Sequence, residues 1–317
     1  MVVSFILLTI GATSAACQEE EVTGVELPTE HAGTSASGDQ VERTMTTGMA
    51  DTENEPEQDE AQAATMDIPD VGGEEDKPAG SGVNGEAGEW LPGEFSGDVA
   101  LVSDYIDRGI SNTDHNPAVQ GGINYSLGLG FEDISVYAGF WGSNVDFSDG
   151  GEATVEIDAM FGLTGAIGDL NWDLGGVYYA YPGANHNLNY DYWEIPLLLS
   201  YPVLTGVTLT GSYYYSPNYF GDTGHAHYLQ SGVEWELPFK VLTLPLIVAA
   251  NGGYQWIEHN NRAGIEDYFD WNVGLKTKMK GIYLSAMYTD TSLDKRDCYD
   301  GTNLCDARAV FAVGASF

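Results

Sequence analysis

The sequence predicts an all-β protein: a transmembrane antiparallel up-and-down β-barrel of about 12 strands, preceded by a disordered acidic N-terminal segment. Three observations predict it. From about Glu94 onward, apolar and polar residues alternate at period two, segment after segment. The joints between those segments alternate between short and long, so the two ends of the stack differ. After the extreme N-terminus no apolar run reaches 18 residues, so a membrane role needs strands or an anchor.

Composition narrows the classes further. The chain has 317 residues, 48 acidic and 11 basic, for a net charge of −37. Phosphate binding needs a cationic surface, so no nucleic acid is expected as a partner. Nineteen Tyr and 40 Gly point to an aromatic-rich, turn-rich β chain rather than a helical enzyme.

Residues 1–17 read as a signal peptide. An apolar core, Val2 to Ile10, leads into the small residues Gly11 to Ala16, although the usual basic residue at the start is missing. The "SAAC" ending at Cys17 resembles a bacterial lipobox, with Ser14 where Leu is usual. Plain cleavage and lipidation of Cys17 both fit. Residues 18–92 carry 20 acidic side chains against Arg43 and Lys77. Their scattered apolar residues cannot offset the entropy of ordering, so a disordered periplasmic segment is expected.

Residues 94–317 hold the barrel. The candidate strands are 95–106, 117–130, 133–145, 153–166, 169–181, 190–201, 206–217, 225–237, 242–256, 265–278, 281–291 and 306–317. Short joints fall at "GFED" (130–133), "IGDL" (167–170), "PVLTG" (202–206), "LPFKV" (237–241) and "KMKG" (278–281). Longer polar joints include "DRGISNTDHN" from 107, "DFSDGGE" from 146 and "DKRDCYDGTNLC" from 294. An even strand number leaves both termini at the short-turn end.

The faces agree with a lipid-facing exterior. Val119, Ile123, Leu127 and Leu129 share one side, and Gln120, Asn124 and Ser126 the other. Val155, Ile157, Phe161 and Leu163 alternate with Glu156, Asp158, Met160 and Thr164. Aromatics gather near strand ends, at Tyr178, Tyr179 and Tyr181, Tyr192 and Trp193, Tyr213 to Tyr215, and Tyr254 and Trp256. Those suit interfacial girdles. The last strand keeps its apolar face through Phe311, Val313, Ala315 and Phe317. Phe317 reads as the signal by which such barrels are inserted. A soluble β-sandwich or a lipocalin-like barrel is the competing reading.

Twelve strands lie between eight-stranded barrels filled by side chains and 16-stranded water channels. The candidate pore-lining acids are Asp104, Glu156, Asp158, Asp173, Glu194 and Glu234. The candidate bases are Lys276 and Arg308, with Arg108 near the mouth. Carboxylate-lined pores favour cations, so weak cation selectivity is one expectation. The other is that these acids pair with the bases and brace the wall. Cys298 and Cys305 suit a disulfide in an exported chain. Asp222, His225 and His227 could meet as a metal site or form a solvated loop, the expected case, so no metal is assigned. His186 and Ser216 are the loop residues an enzyme could use, but no spacing ties them together. No catalytic residue and no cofactor is expected.

The stretches "SDYIDRGISNTDHNPAVQGGINYS" (103–126) and "VYAGFWGSNVDF" (136–147) resemble the TorF-family porins, earlier catalogued as the Gcw_chp conserved hypothetical outer-membrane family. "EIDAMFG" (156–162), "DLGGVYYAYPG" (173–183) and "DYWE" (191–194) extend the likeness over about 94–317. The resemblance implies a porin-like outer-membrane barrel. The expected partners are outer-membrane lipid, the barrel-assembly machinery, and ions or small solutes. A structural barrel that does not conduct stays open as an alternative, as does association of several pores.

Overall fold

The computed structural model describes residues 92–317, apart from Glu132 and Glu152. The signal peptide, Cys17 and the acidic segment as far as residue 91 lie outside the described residues. The described elements start with β1 (Glu94–Val102) and two short strands, β2 (Ile106–Asp107) and β3 (Ile110–Ser111). Then follow β4 (Ala118–Gly128), β5 (Ile134–Asn144), β6 (Val155–Ile167), β7 (Leu170–Ala180) and β8 (Tyr192–Leu204). The remainder are β9 (Val207–Ser216), β10 (Ala226–Val241), β11 (Leu244–Ile257), β12 (Tyr268–Met279), β13 (Ile282–Thr291) and β14 (Arg308–Ser316). Every strand except β2 and β3 belongs to one closed antiparallel barrel of 12 strands. It closes where β14 meets β1, with Asp98 opposite Ser316 and Val102 opposite Ala312.

Alternation decides the two faces. On β4, Val119 and Ile123 point outward while Gln120 and Asn124 are buried within. On β6, Val155, Ile157, Phe161 and Leu163 are exposed and Glu156, Asp158 and Met160 are buried. This inverts a water-soluble protein, with large apolar side chains such as Val119 (61% exposed) and Phe140 (60%) on the outer wall. Among the described residues no helix is long and apolar enough to cross a membrane.

Short joints and long joints alternate as expected. The tightest are two-residue turns such as Lys280–Gly281, whose φ angles of 49° and 82° belong to the mirror-image turns that match strand twist. Two predicted joints move. "LPFKV" is strand rather than turn, because β10 continues to Val241 and reverses at Leu242–Thr243. Pro238 cannot donate to the ladder, and the register shifts between Glu236 and Lys240 instead of ending. Likewise β8 runs to Leu204, with a shift between Pro202 and Leu204.

The aromatic clusters also divide. Tyr178, Trp193, Tyr213, Tyr215, Tyr254 and Trp256 alternate with the inward positions and suit a girdle, and Trp193 and Trp256 are exposed. Tyr179, Tyr181 and Tyr192 are buried inside, and Tyr214 faces the Arg108 guanidinium. Consecutive residues on a strand cannot share a face, so the clusters that contain neighbours in sequence give some of their rings to the lumen, whereas Tyr254 and Trp256, two apart, both face outward.

Candidate functional site: the lumen and its inserted loop

The segment joining β1 to β4, residues 103–117, folds into the barrel. Its base is tied to the last strand. Ser103 N donates to the Phe311 carbonyl at 2.8 Å, and Phe311 N donates to Ser103 Oγ at 2.9 Å. Beyond it, β2 and β3 form a hairpin with Ile106 opposite Ser111 and Asp107 opposite Ile110. Arg108 and Gly109 are its tip, at φ 47° and 82°. An arginine in the left-handed region is strained by roughly 1–3 kcal/mol, a cost that local contacts must offset. Gly109 is needed for a second reason. A Cβ there would stand 2.6 Å from Thr291 Cγ2 and 2.9 Å from Asp270 Cβ, so the tip presses against the β12–β13 wall.

Arg108 itself is 5% exposed. Sequence reading put it near the mouth; the hairpin carries it across the lumen. Its Nη2 donates to both Glu194 oxygens on β8, at 2.8 and 2.6 Å, and its Nη1 to Gln255 Oε1 on β11 at 2.8 Å. The guanidinium lies 4.5 Å from the Tyr228 ring centre and 5.1 Å from that of Tyr214. A carboxylate that takes both bonds of Nη2, an amide oxygen for Nη1 and aromatic faces are the partners a desolvated guanidinium requires. Tyr179 donates a further bond to Glu194 at 3.0 Å.

A second knot holds the loop's flank. Asp104 accepts from Ser111 Oγ at 2.7 Å, Thr113 Oγ1 at 2.9 Å and Arg308 Nη1 at 3.0 Å. Arg308 also contacts His115 and donates to the carbonyls of Asn303, Leu304 and Asp306. It thus joins the inserted loop to the β13–β14 loop, which the Cys298–Cys305 disulfide closes. Ser111 N donates to the Leu304 carbonyl at 3.0 Å as well.

Above the hairpin, at the long-loop end, aromatic rings converge from three loops. Tyr190 stacks on Phe220 at 4.3 Å, Phe147 meets both edge-on, and Tyr192 meets Tyr219 at 4.8 Å. Toward the short turns the lumen is more polar. Tyr137 donates to Asp173 at 2.8 Å, and Lys276 pairs with Glu234 at 2.7 Å. Nearer the long loops, Glu156 and Asp158 point inward from the first residues of β6, and Tyr181 donates to one Glu156 oxygen at 3.1 Å.

The other candidates separate. His225 and His227 are on the outer side of β10 and its approach, bonded to Tyr215 at 2.8 Å and Tyr213 at 2.7 Å. Asp222 instead accepts from Asn189 and Asn218. Glu258 accepts the His225 N–H, which holds its carboxyl below the ordinary value. Among the described residues no three acidic, His or Cys side chains gather as a metal site. His186 lines a polar recess of about 330 Å³ at the rim with Asn189, Asp191 and Asp222; Ser216 is buried elsewhere, its hydroxyl unpaired. The sequence offers Arg108 as a candidate but not the hairpin that carries it, nor Gln255 or the Tyr228–Asp270 bond. The one available signal was Arg-Gly between the short runs Ile106–Asp107 and Ile110–Ser111, a two-residue turn with glycine at its second position.

A closed barrel with an apolar outer wall, a polar inner wall and a loop folded across its lumen is the class of protein defined here. The chain belongs to the Gcw_chp family, described as bacterial proteins of unknown function, whose model matches residues 86–317. No curated protein matches it. Among solved structures it is similar to the NanC porin, at 12% identity over 70% of this chain and 98% of that one, with a TM-score of 0.44. An outer-membrane channel from Pseudomonas putida F1 matches at 11% identity over 74% and 98%, TM-score 0.41. LpxR from Salmonella typhimurium matches at 11% over 70% and 99%, TM-score 0.40.

Proposed function

We propose that this protein is a porin-like channel of the outer membrane that passes ions or small solutes by passive diffusion, with weak cation selectivity. This is also what the resemblance to the TorF-family porins implies. The observation that carries it is the inserted hairpin. A polar loop crosses a polar lumen and narrows it around one salt bridge, Arg108–Glu194, inside a wall whose outer face is apolar. The inward acids Asp104, Glu156, Asp158, Asp173, Glu194 and Glu234 outnumber the inward bases Arg108, Lys276 and Arg308, which favours cations. The lipid that surrounds the belt and the machinery that reads Phe317 are the partners this reading requires. A second reading, a filled structural barrel, draws support from the aromatic lid at the long-loop end.

Single-channel recording of the full chain in a planar bilayer tests both. Discrete conductance steps, with a reversal potential of cation-selective sign in a salt gradient, are expected. A folded barrel that never conducts would favour the filled reading, and an anion-selective sign would remove the selectivity.

A further inference from the structure

The lumen wall built from β1, β4, β5 and β6 is short of partners. Among the described residues, nine buried side-chain nitrogen or oxygen atoms make no hydrogen bond, and seven of them are on this wall. They belong to Asp98, Gln120, Asn124, Trp141, Glu156 and Asp158. Asp158 is the extreme case, since it is 0% exposed and neither carboxylate oxygen is bonded. Glu156, two residues earlier on the same inward face, is bonded by the Tyr181 and Tyr105 hydroxyls and leaves Oε2 without a partner of hydrogen-bond geometry. Gln120 is 1% exposed, with Oε1 unpaired. It stands in the same row across the sheet, opposite Ser143, which is opposite Glu156.

Nearby bases are engaged elsewhere. Arg108 pairs with Glu194 and Asp107, Arg308 with Asp104 and Lys276 with Glu234. Two adjacent enclosed carboxylates with no counter-charge among the described residues cost several kcal/mol each as ions. Native proteins leave few such groups unanswered. The unanswered atoms of Glu156, Asp158 and Gln120 are all acceptor oxygens, and the two carboxylates supply −2 once a bound cation deprotonates them.

We propose that Glu156 and Asp158, completed by the amide oxygen of Gln120, bind a divalent hard cation of the calcium class. Oxygen ligands in a flexible arrangement suit Ca²⁺, and its charge matches the pair. The absence of His and Cys from the set disfavours softer metals. Trp141 is the cross-strand partner of Asp158, and Tyr105 packs edge-on against Trp141 at 5.5 Å. The cation therefore sits beside the inserted loop's first aromatic. The site rests on the barrel wall and not on conduction.

The test is Tb³⁺ luminescence, excited through protein aromatics, on the refolded full-length chain, with Ca²⁺ as competitor. Saturable emission displaced by Ca²⁺ is expected, weakened at least tenfold in Asp158→Asn and in Glu156→Gln. Trp141→Phe should dim the emission while Ca²⁺ still raises the unfolding temperature. Should the acid variants not fold, the wild-type chain gives the answer alone through its unfolding temperature in Ca²⁺ against EDTA. Emission unchanged in Asp158→Asn, or a wild-type unfolding temperature indifferent to Ca²⁺, would overturn the site.

Discussion

The two walls of the lumen solve the same problem in opposite ways. The β8–β12 wall turns most of its polar groups toward the inserted hairpin or one another, with the Ser212 and Ser216 hydroxyls the exceptions. Glu194 and Gln255 hold Arg108, and Asp270 takes a bond from Tyr228 at 2.9 Å. The wall of β1, β4, β5 and β6 is also lined by buried polar groups, yet its Asp98, Gln120, Asn124, Trp141, Glu156 and Asp158 keep unpaired atoms. A single inserted cation, Arg108, cannot serve both sides of a barrel. The hairpin leans one way, and that lean decides which wall owes its stability to the protein and which awaits something else.

The largest expected effect is at the hairpin tip. Arg108→Ala leaves Glu194 charged and buried without its counter-charge, with the Tyr179 hydroxyl still bonded to it, and breaking such a pair costs about 3–5 kcal/mol. The same variant frees the hairpin, so conductance should rise where the wild type conducts. Replacing the pair by Arg108→Met with Glu194→Leu should recover most of the lost stability, because apolar side chains of similar volume replace two desolvated ions. Urea unfolding in detergent micelles checks the first and third expectations, and bilayer recording the second. Equal stability for wild type and Arg108→Ala would mean that the tip is not seated on β8.

How much of this was legible in the sequence follows from the same contrast. Strand faces and joint lengths were readable, because lipid and lumen impose a strict two-residue alternation on every strand. Glu156, Asp158 and Glu194 could be assigned inward on that ground alone. The hairpin was not readable. Two-residue strands carry no periodicity, and "DRGISNTDHN" has the polar composition of an outer loop. The prolines misled in the other direction, since Pro202 and Pro238 mark register shifts inside long hairpins rather than turns. Consecutive tyrosines looked like girdle because clustering in sequence says nothing about which of two faces each ring takes.

A middle-sized effect concerns the strap that holds the hairpin's flank. The Cys298–Cys305 disulfide closes a short loop whose carbonyls receive Ser111 N and Arg308. Loop-closure entropy for a ring of this size gives about 2–3 kcal/mol. Cys298→Ser with Cys305→Ser should lower stability by that amount and increase hydrogen exchange at Ser111 more than in the β4–β6 strands. Uniform exchange across both walls would show that the strap serves the barrel and not the inserted loop.

The smallest effects sharpen the comparison most, because they differ in sign rather than size. Tyr228→Phe deletes one hydroxyl that donates to Asp270 and accepts from Gln230 at 2.9 Å. Leaving buried partners unmade costs about 1–3 kcal/mol. Asn124→Leu on the other wall deletes an amide whose nitrogen has no partner, at similar volume, and sits outside the proposed cation set. Nothing is left unpaired by that change, so it should fall within about 0.5 kcal/mol of wild type or stabilise the barrel. Unfolding both variants side by side compares a polar group that the hairpin's wall uses with one that the opposite wall does not. Similar losses from the two would mean that water or solute answers the β1–β6 wall as fully as the protein answers β8–β12, and the asymmetry of the lumen would then be one of partners rather than of stability.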